Sequence, residues 1–137
     1  MNNTQILKKS ISTALLFFPV MLWAQDIQVK TIKFETGKSS AIVTGSITGY
    51  QTIDYKISAN AGQTLKVSLK TSKTSNNFNI LPPGSEDQAI YNGSIEGTSY
   101  MGKPEQTGEY KIRVYLERND ARRNATANFT LTVSVTN

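Results

Sequence analysis

Along most of this chain, apolar residues fall on every second position. That period suits a half-buried β-strand and defeats an amphipathic helix. Leu65, Val67 and Leu69 alternate with Lys66, Ser68 and Lys70. Tyr110, Ile112, Val114 and Leu116 alternate with Lys111, Arg113, Tyr115 and Glu117, and Phe129, Leu131, Val133 and Val135 repeat the pattern near the end. Earlier, Ala41, Val43, Gly45 and Ile47 make one run, and Ile53, Tyr55 and Ile57 another. Turn formers separate these runs, among them Gly37-Lys38-Ser39, Gly49, Asn60-Ala61-Gly62 and Gly108. Short strands punctuated in this way, with no helical period, predict an all-β fold, a single antiparallel β-sandwich domain.

Other stretches read less regularly. Ile27 and Val29 open a strand, but Ile32 and Phe34 fall in the opposite phase, which predicts a bulge. Residues 71–77 read as a polar loop, and Phe78 and Ile80 as a short strand before Pro82-Pro83-Gly84. Ile90 and Tyr91 suggest another strand, and residues 93–104 a long irregular connection. Tyr55 and Tyr110 lie in phase with the core positions.

The N-terminus has a different character. Lys8 and Lys9 precede a mostly apolar stretch, residues 11–23, which ends at Leu22-Trp23-Ala24 before Gln25. This predicts a secretory signal peptide, residues 1–24, cleaved after Ala24 to leave a β-sandwich domain at residues 25–137. The apolar stretch is well short of the ~20 residues that a membrane-spanning helix needs, and no second one follows. Export without membrane insertion is therefore expected after cleavage. Cleavage also removes the single tryptophan, Trp23, and two of the lysines behind a formal charge of +5. The remainder is mildly basic, which fits an acidic partner surface but lacks the dense Lys/Arg stripes of a nucleic-acid binder.

Histidine and cysteine are both absent. Their absence excludes Ser-His and Cys-His catalysis, thiolate chemistry, ordinary zinc sites and disulfides, and no cofactor is expected. Glu86-Asp87 is a poor pair for glycoside hydrolysis, because adjacent carboxylates in a turn do not flank a substrate from two sides. Gly93, Gly97 and Gly102 lack the strand-to-helix setting of a phosphate cradle. The sequons at Asn92, Asn124 and Asn128 read as bare asparagines in an exported chain of bacterial type. The reading is of a non-enzyme.

One segment breaks the pattern. Arg118-Asn119-Asp120-Ala121-Arg122-Arg123-Asn124 holds three of the four arginines, on what reads as the hairpin connection between the last two strands. It is either a solvated cationic loop or a loop that presents its guanidinium groups to a partner. Arginine offers a rigid fork of donors matched to carboxylates. Asn119 and Asp120 are placed to bond neighbouring backbone amides and stiffen the loop. Tyr50, just after Gly49, is either a surface turn aromatic or an interface anchor. Arg113 and Tyr115 point away from the core, as a solvated strand face or an oligomer contact.

Several of these residues together resemble a known family, the periplasmic inhibitors of g-type lysozyme. The likeness lies in Ser39-Ser40-Ala41, Gly49-Tyr50, Ala61-Gly62-Gln63, Val67-Ser68, Gly108-Glu109-Tyr110 and Arg113-Val114, and above all in residues 118–124. It implies a periplasmic β-sandwich whose partner is g-type lysozyme, and which occupies that enzyme's peptidoglycan-binding cleft and so protects a Gram-negative wall. It also implies that Tyr50, Arg118 and Arg122 enter the cleft, with Asn119, Asp120 and Arg123 completing the contact set. Residues 71–105 depart most from the family pattern. The competing expectation is a peptidoglycan- or carbohydrate-binding sandwich like those appended to secreted peptidases, which have a strand similar to residues 62–69. Such a module would use exposed aromatics such as Tyr91, Tyr100 and Tyr115.

Overall fold

The computed structural model describes residues 27–137. The predicted signal peptide and its cleavage point, residues 1–24, lie outside the described residues. Nine strands form two sheets packed face to face. In chain order the strands are β1 (Ile27–Thr31), β2 (Ser40–Thr48), β3 (Thr52–Ala59), β4 (Thr64–Thr71), β5 (Asn76–Leu81), β6 (Tyr91–Asn92), β7 (Ser99–Gly102), β8 (Gly108–Leu116) and β9 (Thr126–Thr136). Two single helical turns interrupt them, α1 (Gly93–Glu96) and α2 (Arg118–Ala121). One sheet runs β1-β3-β8-β5-β6 and the other β2-β9-β4-β7.

The alternating apolar positions meet between the sheets. Tyr55, Leu65, Val67, Phe78, Tyr110, Ile112, Val114, Leu131 and Val133 are all essentially inaccessible to solvent. Gly45 makes room in this layer: a methyl group there would lie 2.5 Å from the Phe129 ring and 3.0 Å from the Tyr55 hydroxyl. Tyr55 and Phe129 meet edge to face. The Tyr55 hydroxyl is buried without a hydrogen-bond partner among the described residues.

The sandwich is as expected, but four local expectations are corrected. First, one strand pair is parallel: β1 lies beside β3 in unbroken register, Ile27 opposite Thr52 through Thr31 opposite Lys56. The chain passes from β1 to β2 in the opposite sheet and back to β3, and two reversals restore the original direction. There is no bulge in that register. Instead the Ile32 N–H continues the ladder to the Lys56 carbonyl at 2.8 Å and its side chain turns into the core, while Val29 stays exposed on the edge.

Second, the polar loop expected at residues 71–77 is shorter, because Thr71 ends β4 and Asn76 and Asn77 belong to β5. Ser75, Asn76 and Asn77 are buried, and Asn76 begins β5. The Asn76 amide donates to the Tyr115 carbonyl at 3.0 Å and accepts from the Thr71 hydroxyl at 2.8 Å, so its polar atoms are satisfied without water. Third, residues 93–104 hold α1 and β7. Gly93 is required there, because a Cβ would sit 2.3 Å from the Phe78 carbonyl oxygen.

Fourth, β8 and β9 belong to different sheets, so no hairpin joins them. The arginine segment must step from one sheet to the other. It does so as the helical turn α2, with Ala121 driven into the core as its plug.

Candidate functional site

The arginine segment is wound tightly by its own backbone. The Ala121 N–H donates to the Glu117 carbonyl at 2.9 Å, Arg122 to Arg118 at 3.0 Å, Arg123 to Asp120 at 3.2 Å, Asn124 to Ala121 at 3.1 Å and Ala125 to Asp120 at 3.1 Å. Asn124 closes the turn with φ of 54°, a left-handed conformation that asparagine tolerates better than most residues. Every N–H from residue 121 to residue 125 is thus committed, and the loop is ordered before any partner arrives.

Asp120 braces the turn, though through a partner that the sequence did not suggest. Its carboxylate accepts a short hydrogen bond from the hydroxyl of buried Ser75, and the Ser75 carbonyl accepts from the Glu117 N–H at 2.8 Å. After the turn, the Ser72 N–H donates to the Asn128 carbonyl at 2.9 Å and the Asn128 N–H to the Ser72 hydroxyl at 3.0 Å. The β4–β5 connection therefore holds Glu117 before α2, Asp120 within it and Asn128 in β9. Asn119 is exposed, and among the described residues its side chain makes no hydrogen bond. A bond between a hydroxyl and a half-buried carboxylate contributes about 1.5 kcal/mol. Ser75→Ala is expected to lose that much, read as a lower urea midpoint at unchanged slope. An unmoved midpoint would show that the brace carries no weight.

Tyr50 reaches the same end of the molecule through the β2–β3 turn. Gly49 sits at φ of 63° with its N–H donating to the Ala125 carbonyl at 3.0 Å. A Cβ at Gly49 would lie 2.7 Å from the Asn124 side-chain oxygen, and the left-handed φ would strain any other side chain, so glycine favours the close approach of this turn to the arginine segment. Gln51 caps the turn, its side-chain oxygen accepting from the Thr48 N–H at 2.9 Å. Tyr50 is left 56% exposed, an aromatic ring held outward on a fixed turn.

Five of the six predicted contact residues are exposed or carried on this braced surface: Tyr50, Arg118, Asn119, Arg122 and Arg123. Asp120 lies half-buried beneath them as the brace. Among the described residues no carboxylate lies within ion-pair distance of Arg118, Arg122 or Arg123. Arg118 and Arg122 are four residues apart on a helical turn, so they share a face, and like charges at that spacing weakly destabilise a helix.

The remaining arginine behaves differently. Arg113 donates from Nε to Asp54 at 2.8 Å and from Nη2 to the other carboxylate oxygen at 2.9 Å, while Nη1 reaches the Glu86 carbonyl at 3.0 Å. Asp54 is only 3% exposed. The sequence places Arg113 outward, as a solvated strand face or an oligomer contact, whereas its guanidinium is paired with the buried Asp54. The signal was an acidic residue between Ile53 and Tyr55, legible only once the register set Asp54 opposite Arg113.

Tyr50 and Arg118 also line one depression of about 440 Å³ with Gln51, Thr52, Asn79, Ser94, Arg113, Tyr115 and Glu117. On its floor the Tyr115 hydroxyl donates to the Asn79 side-chain oxygen at 3.1 Å, and the Gly93 N–H donates to the same oxygen at 3.2 Å. Burial pushes the Tyr115 phenol above its ordinary value. The aromatics expected of a sugar-binding platform are not exposed together. Tyr91 is buried and stacked on Phe78, Tyr100 is half-buried against Tyr91, and Tyr115 is tied to Asn79.

No family model matches the chain. Among curated proteins, the chain is 29% identical over 132 residues to the inhibitor of g-type lysozyme of Escherichia coli (strain K12), covering 93% of this chain and 97% of that protein. Among solved structures, PliG of Aeromonas hydrophila, a periplasmic lysozyme inhibitor of g-type lysozyme, is 34% identical and superposes with a TM-score of 0.74. That match covers 81% of this chain and 98% of the Aeromonas chain. The pre-peptidase C-terminal domain of a Bacillus anthracis collagenase shares 16% identity over 82% of this chain and 96% of its own, at a TM-score of 0.50, a likeness of fold alone. With a third of its residues shared along nearly the whole Aeromonas protein, the chain belongs to the family of periplasmic inhibitors of g-type lysozyme.

Proposed function

We propose that this protein is a periplasmic inhibitor of g-type lysozyme that blocks the enzyme's peptidoglycan-binding cleft with the surface formed by Tyr50 and the arginine segment. It performs no chemistry of its own. The observation that carries the reading is that Tyr50 and Arg118, far apart in sequence, line one depression, on two turns joined by the hydrogen bond from the Gly49 N–H to the Ala125 carbonyl.

Glycoside hydrolysis depends on carboxyl groups that reach the glycosidic oxygen and a water. A guanidinium inserted among them forms charge-assisted, bidentate hydrogen bonds and displaces both. Because α2 is already wound and braced by Ser75, little conformational entropy is lost when it docks. Tyr50 adds rigid aromatic area beside the charge.

The test is a titration of the mature protein into g-type lysozyme lysing a peptidoglycan suspension, with a c-type lysozyme in parallel. Loss of g-type activity at near-stoichiometric inhibitor, with c-type lysis continuing, is the expected result. Undiminished g-type lysis at a large molar excess would refute the proposal.

A further inference from the structure

The depression between Tyr50 and Arg118 holds an amide donor, that of Asn79, with no partner among the described residues. The Asn79 side-chain oxygen is occupied twice, by the Tyr115 hydroxyl and the Gly93 N–H. The backbone N–H fixes which end of the amide faces it. The Asn79 amide nitrogen is left without an acceptor among the described residues. The Arg118 guanidinium adds a further donor on the rim beside the Glu117 side chain, while the Ser94 hydroxyl and N–H are both committed to the Asn92 side-chain oxygen, at 2.7 and 3.2 Å. Arg113 on the floor is neutralised by Asp54.

We infer that this depression is a second contact point, a socket that takes an uncharged oxygen acceptor, an amide carbonyl, from a side chain on the wall of the lysozyme cleft. The inference rests on the reading that Tyr50 and Arg118 enter that cleft. Two residues that enter together bring the enzyme surface between them over the depression. A protein interface closes over such a space at near-interior density, and an enclosed donor without an acceptor opposes binding. Asn79 is then a specificity residue: lysozymes that present an acceptor at this point bind, and those that present an apolar group are rejected.

Asn79→Asp is the decisive variant. It keeps the oxygen that Tyr115 and Gly93 need, and replaces the amide donor by a second, negatively charged acceptor. Ser94→Tyr fills the depression from the exposed side of α1, and serves as the probe if Asn79→Asp does not fold. Each is expected to lower the affinity for g-type lysozyme at least ~10-fold by calorimetry while the melting temperature holds. A folded variant of either kind that binds as wild type, while Arg118→Ala loses affinity, overturns the socket and leaves the cleft reading standing. Wild-type affinity in all three overturns both.

Discussion

Replacing Arg118 or Arg122 by alanine is expected to weaken inhibition of g-type lysozyme at least ~30-fold, about 2 kcal/mol, and replacing both to weaken it further. The size follows from the setting. Truncating one member of a buried, hydrogen-bonded charge pair at an interface typically costs roughly 2–5 kcal/mol, because the other charge is left desolvated and unpaired. Nothing in the free protein offsets that loss, since neither guanidinium has a carboxylate partner among the described residues. The fold should be untouched or slightly more stable, as removing one of two like charges four residues apart relieves a weak repulsion. Inhibition constants from lysis assays, read beside thermal melts, separate the two effects. A correctly folded double variant that inhibits as well as wild type would sink the assignment of these two arginines.

Those arginines were visible in sequence because they cluster in a chain that has few, and because nothing else in the chain suits catalysis. The supports beneath them were not. Asp120 read as a residue that bonds its own loop, whereas its partner is Ser75, 45 positions away in a stretch that looked like solvent. Period-two alternation marks which residues of a strand face the core, but not which sheet the strand joins. Almost every connection here crosses between sheets, so β8 and β9 look like a hairpin in sequence and are not one in space. The same blindness hid the parallel β1–β3 pair, since parallel pairing follows from the order of crossings and leaves no mark on either strand. Buried polar residues were missed for a related reason. Ser75, Asn76 and Asp54 are each satisfied by a distant partner, and hydropathy cannot see a partner. The core positions from Leu65 to Val135 were legible, because burial there is decided by the residue's own chemistry.

Asp54→Ala is expected to be the most destabilising single change on the outer face of the β1-β3-β8-β5-β6 sheet. The Asp54 side chain is 4% exposed and that of Arg113 18%, so the pair is shielded from water and from salt. Removing the carboxylate leaves a guanidinium largely out of water, with the Glu86 carbonyl as its remaining acceptor, and such losses run at about 3–5 kcal/mol. For a domain of this size that is a large share of a total stability of roughly 5–15 kcal/mol, and a fall in melting temperature of at least ~12 °C. Geometry and solvation make opposite contributions to such a pair. The bidentate contact is favourable, but both ions were dehydrated to make it, so replacing both partners by apolar residues of similar volume is often neutral. Asp54→Leu combined with Arg113→Leu is therefore expected to regain most of the stability that Asp54→Ala loses. Chemical denaturation of the wild type, the single and the double variant reads the difference directly. If Asp54→Ala melts within a degree or two of wild type, water reaches Arg113 freely and the pair is a surface contact of the ordinary weak kind. If the double variant falls as far as the single, the ion pair holds β3 and β8 in register in a way that apolar packing cannot replace.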